Sequence, residues 1–153
     1  MRVLFFYFFY FIPMTYSKFI LKGVIMKKTI GFQMVVGVAK GYFHDLNGVA
    51  EKELVEKVAG KWQEIAEEKF KETGVYVSAV TIPGAVVYSP NWGCPQGGES
   101  AVVISGVANP TFIEDLAKYK EVVLEIAKAL KEELEQSTLT VEFYDREIAY
   151  LTD

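Results

Sequence analysis

Apolar residues alternate with small and polar ones from Thr29 onward: Ile30, Phe32, Met34, Val36 and Val38 are separated by Gly31, Gln33, Val35 and Gly37. A period of two predicts a strand with one face toward a core. The loop Ala39–Gly48 follows, with Asn47 as a candidate N-cap. The period then changes. Leu54, Val58, Trp62, Ile65 and Ala66 recur at helical spacing among Glu and Lys, as far as Gly74, which predicts an amphipathic helix with a glycine C′. Gly60 inside that helix suggests close packing on a strand. Val75–Tyr88 reads as a second extended segment, with Pro83-Gly84 placing it at an edge or in a bend. Turn residues fill Ser89–Gly98, and Glu99–Ala108 is a third strand, apolar on both faces at Ala101–Ile104. Thr111-Phe112-Ile113-Glu114 fits a capping box for a helix carrying Leu116, Tyr119, Val123, Ile126, Leu130 and Leu134. Thr138–Tyr144 predicts a fourth strand, and Arg146–Leu151 a short edge strand.

The expected fold is therefore α+β: two consecutive β-α-β units form a four-stranded mixed sheet with two helices on one face. A helix between strands implies a parallel, right-handed crossover. The opposite sheet face has no predicted element to cover it, so a homo-oligomer with facing sheets is expected.

Composition changes the picture mainly at the start. Of 153 residues, 51% are hydrophobic and 14% aromatic, and nine of the 22 Phe, Tyr and Trp residues fall within the first 25 positions. That stretch carries Arg2, Lys18 and Lys22 without an acid, so +3 of a net −4 lies there and residues 26–153 carry −7. Its apolar run, Val3–Met14, is short of the roughly 20 residues of a membrane span, and no small-residue cleavage site follows. Phe, Tyr, Ile and Lys are what A/T-rich DNA yields in an arbitrary frame. Lys22–Ile25 can be encoded by a ribosome-binding sequence just before Met26-Lys27-Lys28. We read residues 1–25 as a non-native upstream extension, Met26 as the true start, and 26–153 as a single cytoplasmic domain.

The acidic balance of that domain argues against nucleic acid as a partner, and the third strand lacks the aromatics of an RNA-recognition sheet. Gly97-Gly98-Glu99 runs into a strand and lacks a Walker lysine, so it is not a phosphate loop. One His and one Cys leave too few ligands for a metal, and nothing calls for a cofactor. The candidate chemistry is thin: His44, beside Asp45, as a base near neutral pH, and Cys94 as a thiol that would pair with it only if the fold brought them together. Tyr42, Trp92 and Cys94 are the candidate ligand-binding residues, with Trp92 and Gly97-Gly98 at a pocket lip.

Glu99–Val107 leading into the long helix and then into Leu139–Phe143, together with the Ile82-Pro83-Gly84 bend, resembles the tautomerase superfamily (the macrophage migration inhibitory factor and 5-carboxymethyl-2-hydroxymuconate isomerase type). The resemblance spans about residues 28–150. It implies a trimer with sheets lining an inner barrel and a small-molecule site at a subunit interface. It also implies an N-terminal proline whose α-amine, near pKa 8 and lowered by burial, acts as the base. Lys27 follows Met26 here, so the expectation is a tautomerase-fold protein without proline-based catalysis. The alternatives are an isomerase of an α-keto or enol acid using His44 or Lys27 as the base, and a ferredoxin-like protein-interaction module.

Overall fold

The computed structural model describes residues 24–38 and 51–151. Their order is β1 (Val24–Gly37), α1 (Glu51–Thr73), β2 (Val80–Val86), β3 (Glu99–Val107), α2 (Leu116–Glu133) and β4 (Thr140–Leu151), with one 3₁₀ turn at Pro90–Trp92. The four strands form one sheet in the order β2-β3-β1-β4. Every neighbouring pair is antiparallel.

This corrects the expected mixed sheet. The two strands of each β-α-β unit do run in the same direction, as a helical crossover requires. They are not neighbours, however: β3 lies between β1 and β2, and β1 lies between β3 and β4. This is the split β-α-β arrangement of a ferredoxin-like fold. Periodicity reports which side chains face the core, and it is the same whichever strand fills the gap.

The core lies between the sheet and both helices. Phe32, on the central strand β1, is fully buried. Its ring stacks on Trp62 of α1 at 5.7 Å and tilts against Tyr119 of α2 at 6.4 Å. One residue touching both helices places them on one face, as expected. Ile30, Met34 and Val36 share its side of β1, and Tyr119, Val122, Val123, Ile126, Ala127 and Leu130 form the buried stripe of α2. The Lys61–Glu133 and Lys69–Glu125 pairs, at 3.5 and 3.4 Å, join the helices in antiparallel register. Such half-exposed pairs contribute little stability.

Several boundaries differ from the sequence reading. β1 begins at Val24, and β4 is one strand through Leu151, pairing with β1 from Val35↔Thr140 to Val24↔Leu151. The helix cap is Asp115, whose carboxylate accepts the Lys118 N–H at 2.9 Å; Thr111 instead lies in a turn closed by Asn109 Oδ1. Gly60 packs on nothing: a Cβ there would meet no atom within 4 Å. Gly74 does close α1 in the left-handed region, its N–H donating to Phe70 O at 2.8 Å. Pro83 lies on the edge strand, where no outer ladder needs its missing N–H.

Among the described residues, no element covers the opposite face of the sheet. Val80, Ile82 and Val86 of β2 stand there, with Val103 of β3 and Val35 of β1. Thr140, Glu142, Tyr144 and Arg146 of β4 form its polar side, and the Arg146 guanidinium lies 4.3 Å from the Tyr144 ring. No helix among the described residues is long and apolar enough to cross a membrane.

Candidate functional site

One end of the open face gathers polar groups that the core does not need. There β1 finishes beside β3, with Gly37 opposite Ala101, and β4 begins opposite Val35. β2 ends and β3 starts at the same end, with Val86 opposite Glu99. A cleft of about 230 Å³ runs across it, lined by Gln33, Val35, Val86, Thr138, Thr140 and Glu142.

Glu99 extends this end of the face. Paired residues of a sheet point to the same side, so Glu99 projects with Val86. The Tyr88 hydroxyl donates to its carboxylate at 2.6 Å. A phenol bonded to an ionised acceptor makes a short, charge-assisted contact that fixes both side chains. The 87–98 loop is itself well built. The Tyr88 N–H donates to Cys94 Sγ at 3.4 Å, and the Cys94 thiol reaches Pro95 O at 3.5 Å.

A second acidic group stands at the turn after α2. Glu135 has φ 51°, and no other non-glycine among the described residues has a positive φ. Its N–H donates to Glu132 O and that of Gln136 to Lys131 O, the bonding of a Schellman turn with Glu at the position that favours glycine. A Cβ on Gly37 would lie 2.5 Å from Gln136 Oε1, so this turn abuts the end of β1. The turn stands three residues before Thr138 of the cleft lining, and strained backbone beside a cleft marks a functional candidate.

The residues anticipated from sequence fare differently. Trp92 is largely exposed on the loop beside Tyr88, whereas Cys94 is buried beneath it as the loop's anchor. Lys27 stands on β1 far from the cleft and donates to Pro110 O at 3.1 Å. Tyr42 and His44 lie outside the described residues. Among the described residues no three His, Cys, Asp or Glu side chains cluster to hold a metal. Tyr88, Glu99 and Glu135 were missed. The signal for the first two was available: a hairpin reading of β2 and β3 places the residues flanking their loop side by side.

The SAM lyase family model matches residues 27–152, nearly all of β1 to β4. The chain belongs to the SAM lyase family. A phage SAM lyase in the apo state is 13% identical over 82% of this chain and 91% of that one, with a TM-score of 0.51, a likeness of fold. A phage SAM lyase in complex with S-methyl-5′-thioadenosine is 16% identical over 81% and 90% of the two chains, at a TM-score of 0.46. A nitrogen regulatory PII-like protein from Thiomonas intermedia K12, bound to ADP, AMP and bicarbonate, is 11% identical over 81% and 91%, at 0.33. No curated protein sequence matches.

Membership in the SAM lyase family overturns the tautomerase resemblance and, with it, the isomerase reading. The strand–helix–strand run from Glu99 to Phe143 belongs to both plans, so it could not separate them. The missing proline is no longer a lost base, because a SAM lyase is an enzyme of another class. The ferredoxin-like alternative holds for the fold alone.

Proposed function

We propose that this chain is a SAM lyase that breaks the Cγ–S bond of S-adenosylmethionine and releases S-methyl-5′-thioadenosine. The family match across residues 27–152 carries the reading. The chemistry asks little of the protein. When the substrate's own carboxylate oxygen attacks Cγ, the C–S electron pair returns to the sulfonium. The products are a neutral thioether and a lactone of the four-carbon fragment. No proton has to move, so neither His44 nor Lys27 needs to act as a base.

Positive charge on sulfur vanishes in this step. A carboxylate held against the sulfur would stabilise the substrate more than the transition state and slow the reaction. Glu99, fixed by Tyr88, is therefore assigned to the substrate's ammonium group, whose charge persists, and the apolar wall of Val35 and Val86 to the sulfur. Glu142 in the cleft lining and Glu135 at the neighbouring turn are the further carboxylates assigned to the polar end of the substrate.

The 230 Å³ cleft is smaller than the roughly 300–1,000 Å³ of ordinary ligand pockets. A second copy of the chain, laid on the neighbouring Val80, Ile82 and Val103, would deepen it, which supports a homo-oligomer. The trimer implied by the tautomerase resemblance loses that basis. Cytoplasmic placement, where S-adenosylmethionine is made and used, agrees with the reading. We also propose Met26 as the start, which would take Val24 and Ile25 off the end of β1 that pairs with Leu151 and Tyr150: N-terminal sequencing of the product of the native gene is expected to find Met26, and finding Arg2 or Val3 would overturn it.

The test is incubation with S-adenosylmethionine and chromatographic detection of S-methyl-5′-thioadenosine with the lactone. The expected result is equimolar release of both, well above the spontaneous rate. Release at the spontaneous rate alone would remove the proposal.

A further inference from the structure

Trp92 is 80% exposed, on a loop whose construction holds it there. Pro90, Asn91 and Trp92 form one 3₁₀ turn. Ser89 caps it: its hydroxyl accepts the Asn91 N–H at 3.3 Å, and its carbonyl accepts the Trp92 N–H at 2.9 Å. Gly93 closes the turn at φ 92°, where a side chain would be strained, and donates to Pro90 O at 3.0 Å. Beneath the turn Cys94 is buried against the Tyr88 backbone. At the neck, Gly98 lies so close to Val86 O and Val87 that a Cβ would fall 2.8 Å from each. Every joint of the loop is fixed, and the indole is its most exposed large side chain. Leaving that ring in water forgoes the stabilisation that its burial would bring.

The turn lies within the segment that joins Tyr88 to Glu99, four residues from the phenol that holds the carboxylate. The substrate proposed above brings one flat, apolar group to this end of the sheet. We propose that Trp92 is the stacking platform for the adenine ring of the substrate, so that the 87–98 loop sets specificity for a purine nucleoside. This rests on the SAM lyase reading. The sulfonium is a poorer partner for the indole: a cation held on its face would be stabilised before the reaction and released during it, which raises the barrier. Adenine is unchanged by the reaction, so stacking on it strengthens substrate and transition state alike.

That distinction gives the test its form. Trp92→Ala is expected to raise KM roughly ten-fold or more with kcat little changed, the mark of lost uniform binding. Trp92→Phe, which keeps an aromatic face, should recover most of the loss. Binding is read separately by intrinsic fluorescence. The chain's other tryptophan, Trp62, is buried against Phe32, so quenching by S-methyl-5′-thioadenosine should come from Trp92 and vanish in Trp92→Phe. An active wild-type enzyme whose Trp92→Ala form keeps its KM would overturn the platform while leaving the lyase reading intact. A fall in kcat alone, or an altered sedimentation coefficient in Trp92→Ala, would overturn it too, by placing the indole at the chemistry or between subunits. If the wild type releases no thioadenosine, the lyase reading falls; quenching by the same nucleoside in that protein would still support Trp92 as a purine contact.

Discussion

Two glycines in regular elements should respond to the same substitution with opposite signs. At Gly106 in β3, a Cβ would fall against Ser78 O, 2.5 Å from Phe32 Cε1 and 2.8 Å from Phe32 Cζ. Carbon atoms pack best about 3.5–4.0 Å apart, so ring or strand must shift by roughly 1 Å. Phe32 has no room to give, being fully buried between Trp62 and Tyr119. Overpacking of this kind costs about 1–3 kcal/mol, offset by about 0.4–1 kcal/mol from the stiffer unfolded chain. Gly106→Ala should therefore destabilise by about 1–2 kcal/mol. At Gly60, in mid-helix and exposed, a Cβ meets nothing within 4 Å. Gly60→Ala should stabilise by up to about 1 kcal/mol, the difference in helix propensity. For a chain of this size each 1 kcal/mol moves Tm by about 3 °C, so the two variants should lie roughly 3–9 °C apart. Urea unfolding followed by circular dichroism, at unchanged m value, reads both. A Gly106→Ala protein as stable as the wild type would refute the packing argument. A destabilised Gly60→Ala protein would mean that something covers the outer side of α1.

Glu99→Gln keeps an acceptor for Tyr88 but removes the charge; kcat/KM for S-adenosylmethionine should fall roughly ten- to a hundred-fold, as for other hydrogen bonds to charged groups, with the fold intact by circular dichroism. Glu135→Gly relieves the positive φ, so urea unfolding should show a gain of about 1 kcal/mol while thioadenosine release drops; a gain without loss of activity would remove Glu135 from the site. Ile82→Lys puts a charge on the half-exposed apolar face, and sedimentation velocity should then show monomer where the wild type is an oligomer. A monomeric wild type would refute that assembly. The Tyr119 hydroxyl is buried with no hydrogen-bond partner among the described residues, so Tyr119→Phe should stabilise by about 1 kcal/mol. Burial, helped by the nearby Tyr144, also pushes the Tyr119 phenol well above its ordinary pKa. The folded state thus holds that proton more tightly than the unfolded chain. Its contribution is complete below about pH 10, the unfolded value, and is lost as pH rises above it. Wild type should accordingly lose more stability than Tyr119→Phe between pH 9 and 11.

The elements were legible because burial imposes a period on the sequence. Ile30, Phe32, Met34 and Val36 mark β1, and the spacing of Tyr119, Val123, Ile126 and Leu130 marks α2. Strand neighbours were not legible, since Val35 faces the same side whether β2 or β3 lies beside it. A capping box at Thr111 and a cap at Asp115 are equally good local patterns, and packing of the α2 stripe on the sheet selects the second. At the site, Trp92 and Cys94 drew attention as rare residue types in a turn-rich loop. Tyr88 and Glu99 are common types eleven positions apart, and only the antiparallel pairing of Val86 with Glu99 makes them neighbours. Glu135 was hidden for another reason: a left-handed turn announces itself by glycine, and here the glycine is absent.

The longest ladder in the sheet joins the first strand to the last, Val24 opposite Leu151. At about 5–20 residues per second of synthesis, β1 leaves the ribosome on the order of ten seconds before β4. Until β3 arrives midway both edges of β1 lack their final neighbours, and the edge that β4 fills stays open for the whole interval. A nascent chain of this design depends on α1 or a chaperone to shield β1. A transcript broken before Thr140 would release a protein whose central strand has become an open edge, able to pair with other chains.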